Sequence, residues 1–252
     1  MKKAIISLYM AFGMFCAIPL PKYWDETCAK HVMPWLPVVG AAIGAIWYIA
    51  AQLLGLLRPR APDMLLAGAL MLVPFFASGF IHLDGYMDTS DAIMSRRTRE
   101  EKLRILKDSH TGAFAVIMVV ILFVMQFAAV YSVFTSGGRF VLLLVIPVMS
   151  RCCSALSILC LKPLKREGYA YMFRPANAAP HRAFAITAAV SVIAVAWLLA
   201  GAPGLIVLGA VVSGYAAAMA RAYVSFRGVS GDLAGFAMVL SELAGLIVLA
   251  VV

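Results

Sequence analysis

Asp84, Asp88 and Asp91 stand at i, i+4 and i+7 in the stretch His82-Leu83-Asp84-Gly85-Tyr86-Met87-Asp88-Thr89-Ser90-Asp91. At about 100° per residue, a helix brings the three carboxylates onto one face, within roughly 60° of each other. The stretch follows an apolar run directly, so the acidic face belongs at a membrane–water boundary. Aligned carboxylates repel, and burial at a membrane edge makes the repulsion worse. A positive partner is needed. Hard oxygen ligands in a cluster suit Mg²⁺ or Mn²⁺, which bind a few carboxylates together with substrate phosphates. A plain solvated face with Asp, Ser and Thr as helix caps does not explain acids aligned toward an apolar bundle. Asp84, Asp88 and Asp91 are therefore the expected metal ligands and catalytic carboxylates. His82, which opens the stretch, is counted with the ligand-binding residues.

Two further polar patches have matching chemistry. Lys107-Asp108-Ser109-His110-Thr111-Gly112 immediately precedes an apolar span. Asp108 or Ser109 serves as a plain N-cap there, or the turn faces phosphate and metal, since helix N-termini attract anions. On the second account Asp108 is a metal ligand, and Lys107, Ser109 and His110 contact the bound phosphates. The other patch is Arg227-Gly228-Val229-Ser230-Gly231-Asp232, followed ten residues on by Glu242. Its glycines permit a tight turn or close backbone approach to a ligand, which places Gly231 among the binding residues and Asp232 among the metal ligands. Glu242 lies in the middle of an apolar run, where an ionisable group is a functional candidate by default. It is expected on the metal or paired with Arg151, two compatible readings; Arg151 is itself inside an apolar segment and is a second candidate for ligand contact.

Several chemistries are excluded. Four histidines are present, but no serine sits in a nucleophile-elbow pattern. There is no Walker A or GxGxxG loop. The five cysteines (Cys16, Cys28, Cys152, Cys153 and Cys160) show no zinc spacing, and the apolar setting of the last three suggests buried, inert thiols.

The elements that must hold these groups are membrane helices. Hydrophobic residues make up 63% of the 252-residue chain and charged residues 13%, against roughly 45–50% and about 25% in soluble domains. Spans of about 20 apolar residues are expected near residues 34–57, 63–81, 113–134, 140–161, 183–200, 204–223 and 233–252. The shorter run Ala4–Leu20 follows Lys2 and Lys3, lacks a small-x-small cleavage site, and ends in Pro19-Leu20-Pro21. It is expected to be retained. The net charge of +9 is concentrated in short loops, which argues against nucleic acid as a partner. With seven crossings, Lys2, Lys3, Lys22 to Lys30, Arg96 to Lys107, Lys162 to Arg182 and Arg227 share one side, and only Arg58, Arg60 and Arg139 fall on the other. That is the positive-inside pattern. The expected fold is all-α: a polytopic bundle of about seven transmembrane helices plus an interfacial or re-entrant N-terminal helix, with eight spans as the alternative. The acidic face is expected on the cytoplasmic side of a bacterial inner membrane. Residues 96–107, RRTREEKLRILK, form a surface helix near the headgroups. No repeat or linker divides the chain, so residues 1–252 form one domain.

The motifs also carry a resemblance. His82-Leu83-Asp84-Gly85, Asp88-Thr89-x-Asp91, Lys107-Asp108-Ser109 and Gly112 resemble the signature of the cobalamin synthase (adenosylcobinamide-GDP ribazoletransferase) family. Gly228-Val229-Ser230-Gly231-Asp232 with Ser241-Glu242 looks like its second signature, and Ile18-Pro19-Leu20-Pro21 resembles its N-terminal element without the arginine. The motifs occur in order across nearly the whole chain. There are departures: the family usually has Leu-Ala at Tyr86-Met87, Gly at Ala92 and Arg at His110. The resemblance implies an Mg²⁺-dependent phosphotransferase. α-Ribazole, through its 5′-hydroxyl, or its 5′-phosphate form, attacks the cobinamide-linked phosphate of adenosylcobinamide-GDP, and GMP leaves. Asp88 or Asp91 would accept the proton. The lipid bilayer is the expected environment, and a homo-oligomer or docking with other enzymes of nucleotide-loop assembly is compatible with it.

Two rivals share part of the pattern. A CDP-alcohol phosphatidyltransferase also has an Asp-Gly helix and Mg²⁺, but its pattern wants Ala-Arg soon after Asp-Gly, where this chain has Asp88-Thr89. A cation-coupled transporter would place its acids near the midplane of broken, repeated helices, and no such repeat is visible.

Overall fold

The computed structural model describes residues 2–21 and 23–252. Lys22, counted above among the basic loop residues, lies outside the described residues. Those residues contain helices and turns and no strand beyond one isolated bridge, Pro163 to Val229. A helix satisfies every backbone group within itself, which is what lipid demands.

Among the described residues, six helices are long and apolar enough to cross a membrane: Met33–Gly55, Ala113–Thr135, Phe140–Cys160, Ala179–Ala200, Ala202–Phe226 and Gly231–Leu249. Their regular α-helical parts are labelled α3 (Leu36–Gly55), α7 (Ala113–Thr135), α8 (Ile146–Cys160), α10 (Ala179–Ala200), α11 (Ala202–Phe226) and α12 (Gly231–Leu249). The remaining expected span, 63–81, is broken. Helix α4 (Asp63–Ala77) stops, and α5 (Ile81–Met94) leaves at 92° to it. Gly79 and Phe80 make the corner, both with φ near +60°. Phenylalanine rarely adopts that conformation, so the surrounding contacts must hold the bend. The helix α1 (Lys2–Phe15) has 14 residues, about 21 Å at 1.5 Å per residue, and falls short of a hydrocarbon core about 30 Å thick. That length agrees with an interfacial or re-entrant helix.

Short helices α2 (Glu26–Ala29), α6 (Arg99–Ile105) and α9 (Tyr169–Met172) lie in the loops. The expected surface helix is α6. Thr98 and Glu101 cap it reciprocally, and Arg99 donates to the Phe226 carbonyl at 2.9 Å. α10 and α11 form a hairpin through Gly201 alone, and α10 begins at Ala179, four residues before the expected start.

Sidedness follows the loops. Arg58 makes a two-pronged ion pair with Asp63 at 3.0 and 2.8 Å and sits over the Phe134 ring. Arg139 bonds the carbonyl of Val252. The ends of α3, α7 and α12 therefore meet at the sparsely charged end of the bundle. Large apolar side chains point outward along α7 and α10, among them Val120, Val124, Val190 and Leu198. Their natural neighbour is lipid tail. One hydrophobic cluster fills each end of the interior.

The thiols are all free. Cys152 is buried and Cys153 half-buried, but Cys160 is exposed because it ends α8, which corrects the expectation that all three are buried. Cys16 and Cys28 are buried instead.

Candidate active site

The acidic stretch is helical throughout as α5, so Asp84, Asp88 and Asp91 do share a face. Asp84 is exposed, and Asp88 and Asp91 are half-buried. The rest of α5 packs inward: Tyr86 is buried, stacks on Phe236 and donates to the Met118 carbonyl at 3.0 Å.

Asp232 joins this face from the first turn of α12. Gly85 makes that possible. A Cβ there would sit 2.8 Å from the Asp232 Cα and 2.9 Å from its carbonyl oxygen, so only glycine lets the two backbones touch. The negative charges of Asp84, Asp91 and Asp232 all bear on Asp88, and that of Asp84 bears on Asp232. Four carboxylates from two helices thus gather at one end of the bundle, although no three His, Cys, Asp or Glu side chains among the described residues converge as a ready-made metal cage.

The turn leading into α12 is held in place. Val229 exchanges backbone bonds with the loop Lys162–Leu164 at 2.9 and 2.8 Å. Ser230 caps α12 by accepting from the Leu233 N–H at 3.3 Å, and its hydroxyl also reaches Asp232 Oδ2 at 3.4 Å. This loop pairing brings Lys165 near enough for its positive charge to act on Asp232. Lys165, Glu167, Tyr169, Ser230, Gly231 and Asp232 line a polar recess of about 170 Å³.

Asp91 has a second partner. Its Oδ1 accepts the Ala115 N–H at 3.3 Å, so it sits at the N-terminus of α7, where orphan N–H groups and the helix dipole favour a carboxylate. Asp91 anchors α7 to α5, which leaves Asp84, Asp88 and Asp232 as the freer acids.

The Lys107–Gly112 turn is exposed. Asp108 accepts both the His110 N–H at 3.0 Å and the His110 ring at 2.7 Å. Those bonds hold the Asp108 carboxyl below its ordinary range. Asp108, Lys107, Ser109 and His110 form a local turn on the surface, and the carboxylates that bear on Asp88 do not include Asp108.

Two expected site residues lie elsewhere. Glu242 is ten residues along α12 from Asp232, about 15 Å away. Its carboxylate accepts from Arg151 and from Ser150 Oγ, the latter at 2.7 Å. Arg151 is 1% exposed and also donates to the Pro147 carbonyl at 3.2 Å. The structure shows the pairing expected for Glu242 and Arg151: each neutralises the other inside the bundle. An unpaired charge there would be too costly to bury.

His82 is 7% exposed, stacks on Phe15 at 6.0 Å, and leaves Nε2 without a hydrogen-bond partner. It lies on the wall of an enclosed cavity beside Asp232. Sequence reasoning missed Lys165, Tyr169 and Phe173. The tyrosines and phenylalanine between residues 169 and 173, set in a charged loop, were the signal available.

Fold and site together define a polytopic helical membrane protein with carboxylates gathered beside a small recess at its heavily basic end. The chain matches the Cobalamin-5-phosphate synthase family over residues 7–250 and belongs to it. It is 36% identical over 247 residues to an adenosylcobinamide-GDP ribazoletransferase from Clostridium perfringens, covering 98% of both chains. A relative of the same name from Clostridium botulinum is also 36% identical, over 98% of this chain and 97% of its own. One from Lachnoclostridium phytofermentans is 37% identical over 251 residues, covering 98% of this chain and 94% of the relative. No solved structure matches the chain.

Proposed function

We propose that this protein is the transferase that joins adenosylcobinamide-GDP to α-ribazole or its 5′-phosphate, giving adenosylcobalamin or its 5′-phosphate and GMP. The observation that carries the proposal is the Gly85–Asp232 contact, which brings Asp232 to the Asp84 and Asp88 face. The family's own description, Cobalamin-5-phosphate synthase, corrects one expectation. A product that keeps a 5′-phosphate cannot have been made by attack of the 5′-oxygen, so the nucleophile is another ribose hydroxyl.

The donor set fits Mg²⁺: hard carboxylate oxygens and no soft ligand. Mg²⁺ is usually held by one or two carboxylates plus substrate phosphates and water, so a complete protein cage is not required. Asp84 and Asp232 would hold it, with Asp88 beside them left free of the metal. When bound, the ion supplies neutralisation of the diphosphate and of the departing phosphate.

The chain's own residues do the rest. Lys165, beside Asp232, offers a cation to the phosphates in the polar recess. The attacking ribose oxygen forms a bond to the cobinamide-linked phosphorus. The bond from that phosphorus to the bridging oxygen breaks, and GMP takes the electron pair. The proton of the attacking hydroxyl passes to a carboxylate. Asp88 is assigned that role, because Asp91 is engaged at α7.

The positive-inside pattern supports a bacterial inner-membrane location with the site facing the cytoplasm. The test is turnover by purified protein of adenosylcobinamide-GDP plus α-ribazole, with and without Mg²⁺. Cobamide and GMP should appear in equal amounts with Mg²⁺ and cease on chelation. Absence of cobamide in both conditions refutes the proposal.

A further inference from the structure

The cavity behind Asp232 has a volume of about 210 Å³ and is closed on most sides. It is lined by Phe15, His82, Tyr169, Phe173 and Asp232, with aliphatic side chains between them. The rings make a continuous wall. Phe15 stacks on His82 at 6.0 Å and contacts Phe173 at 6.4 Å, and Phe173 stacks on Tyr169 at 5.8 Å. Outside the lining, Trp24 packs edge-on against Tyr169 at 5.8 Å. The cavity shares Tyr169, Ala170, Gly231 and Asp232 with the polar recess that holds Lys165. Asp232 therefore stands at the junction of an apolar chamber and a phosphate-sized vestibule.

Flat aromatic walls favour a flat aromatic guest. An apolar cavity of about 150 Å³ admits benzene, so this one has room for two fused rings but not for a corrinoid. The His82 ring lines this chamber, and a polar ring in an apolar wall is satisfied by a ligand that brings an acceptor or donor.

We infer that this chamber is the subsite for the fused, nitrogen-containing ring system of the ribazole, with His82 bonding its free ring nitrogen and the ribose reaching past Asp232 into the vestibule. The assignment rests on the function proposed above and deepens it. The large cobinamide stays outside, on the exposed Asp84 side, and the two substrates meet at the carboxylates from opposite directions. The short helix α9, entered through Gly168 at φ +85°, carries Tyr169 and Ala170 and forms the chamber's outer wall.

The test combines kinetics with equilibrium binding of benzimidazole riboside and indole riboside to the full-length protein in detergent. Ala170→Phe, which fills the chamber from its rim, should raise KM for α-ribazole about tenfold or more. Phe173→Leu, which removes a ring face without filling space, should weaken benzimidazole riboside several-fold and guards against misfolding of the first variant. Wild-type protein should prefer benzimidazole riboside to indole riboside, which lacks the free ring nitrogen, and His82→Leu should abolish the preference. An unchanged KM for α-ribazole in folded Ala170→Phe, or equal binding of the two ribosides by wild type, overturns the inference while wild-type cobamide synthesis still stands. Benzimidazole riboside binding without any cobamide synthesis would instead remove the proposed reaction and leave the chamber's ligand class intact.

Discussion

Gly112 lies directly against the carboxylate of Asp91: a Cβ at Gly112 would come within 2.2 to 2.4 Å of the carboxylate's atoms. The missing side chain is what lets Asp91 reach the Ala115 N–H and tie the acidic helix α5 to the start of α7. Gly112→Ala must push that carboxylate away. The expected result is roughly a 10- to 100-fold fall in turnover, the scale seen when groups that orient a site are disturbed. The KM for α-ribazole should barely change. Steady-state kinetics on both substrates, with a melting curve to show a folded protein, check this.

Asp84→Asn and Asp88→Asn keep the shape of α5 and remove one charge each. Fewer like charges crowd the site, so the melting temperature should hold or rise, since mutual repulsion destabilises the native arrangement. Turnover should fall by at least about a hundredfold. A variant that melts like wild type and turns over like wild type would remove that residue from the site.

Glu242 and Arg151 form a buried pair, and breaking such a pair from one side leaves an uncompensated charge. Glu242→Gln is expected to cost about 3–5 kcal/mol of stability. The double variant Glu242→Leu with Arg151→Met should recover most of it, because an apolar replacement of the whole pair is often neutral or better. Melting temperatures of the single and double variants close the cycle. The Mg²⁺ dependence proposed above should be the same in the double variant as in wild type, since Glu242 lies far from the carboxylate face.

Asp108 gives a pH dependence confined to its turn. Its bonds from His110 lower its folded pKa, so the stabilisation is fully present above the ordinary carboxylate pKa of about 4. It is lost only as the pH falls through the lower folded value. Hydrogen exchange at residues 108–112, corrected for intrinsic rates, should therefore speed up as the pH falls below about 4. Asp108→Ala should speed exchange there at neutral pH and remove that acid-side change.

Much of the fold was legible because lipid imposes a simple rule. A run of about 20 apolar residues must be helical, and loop charge orients it. The 14-residue α1 and the surface helix α6 followed from length and charge alone. The Asp84–Asp88–Asp91 face was equally legible, since helical period is a local property. The 92° corner between α4 and α5 was not. Gly79 signals a turn but carries no angle, and Phe80 argues locally against the conformation it adopts.

The sequence by itself determined which groups are costly to leave alone: three aligned aspartates, and Glu242 and Arg151 inside apolar runs. Only the tertiary structure decided their partners. Desolvation forces a buried charge to find a counter-charge, but the chain's path chooses which one is within reach. So Arg151 took Glu242, the α7 terminus took Asp91, and Gly85 admitted Asp232 to the face that Asp84 and Asp88 had already defined.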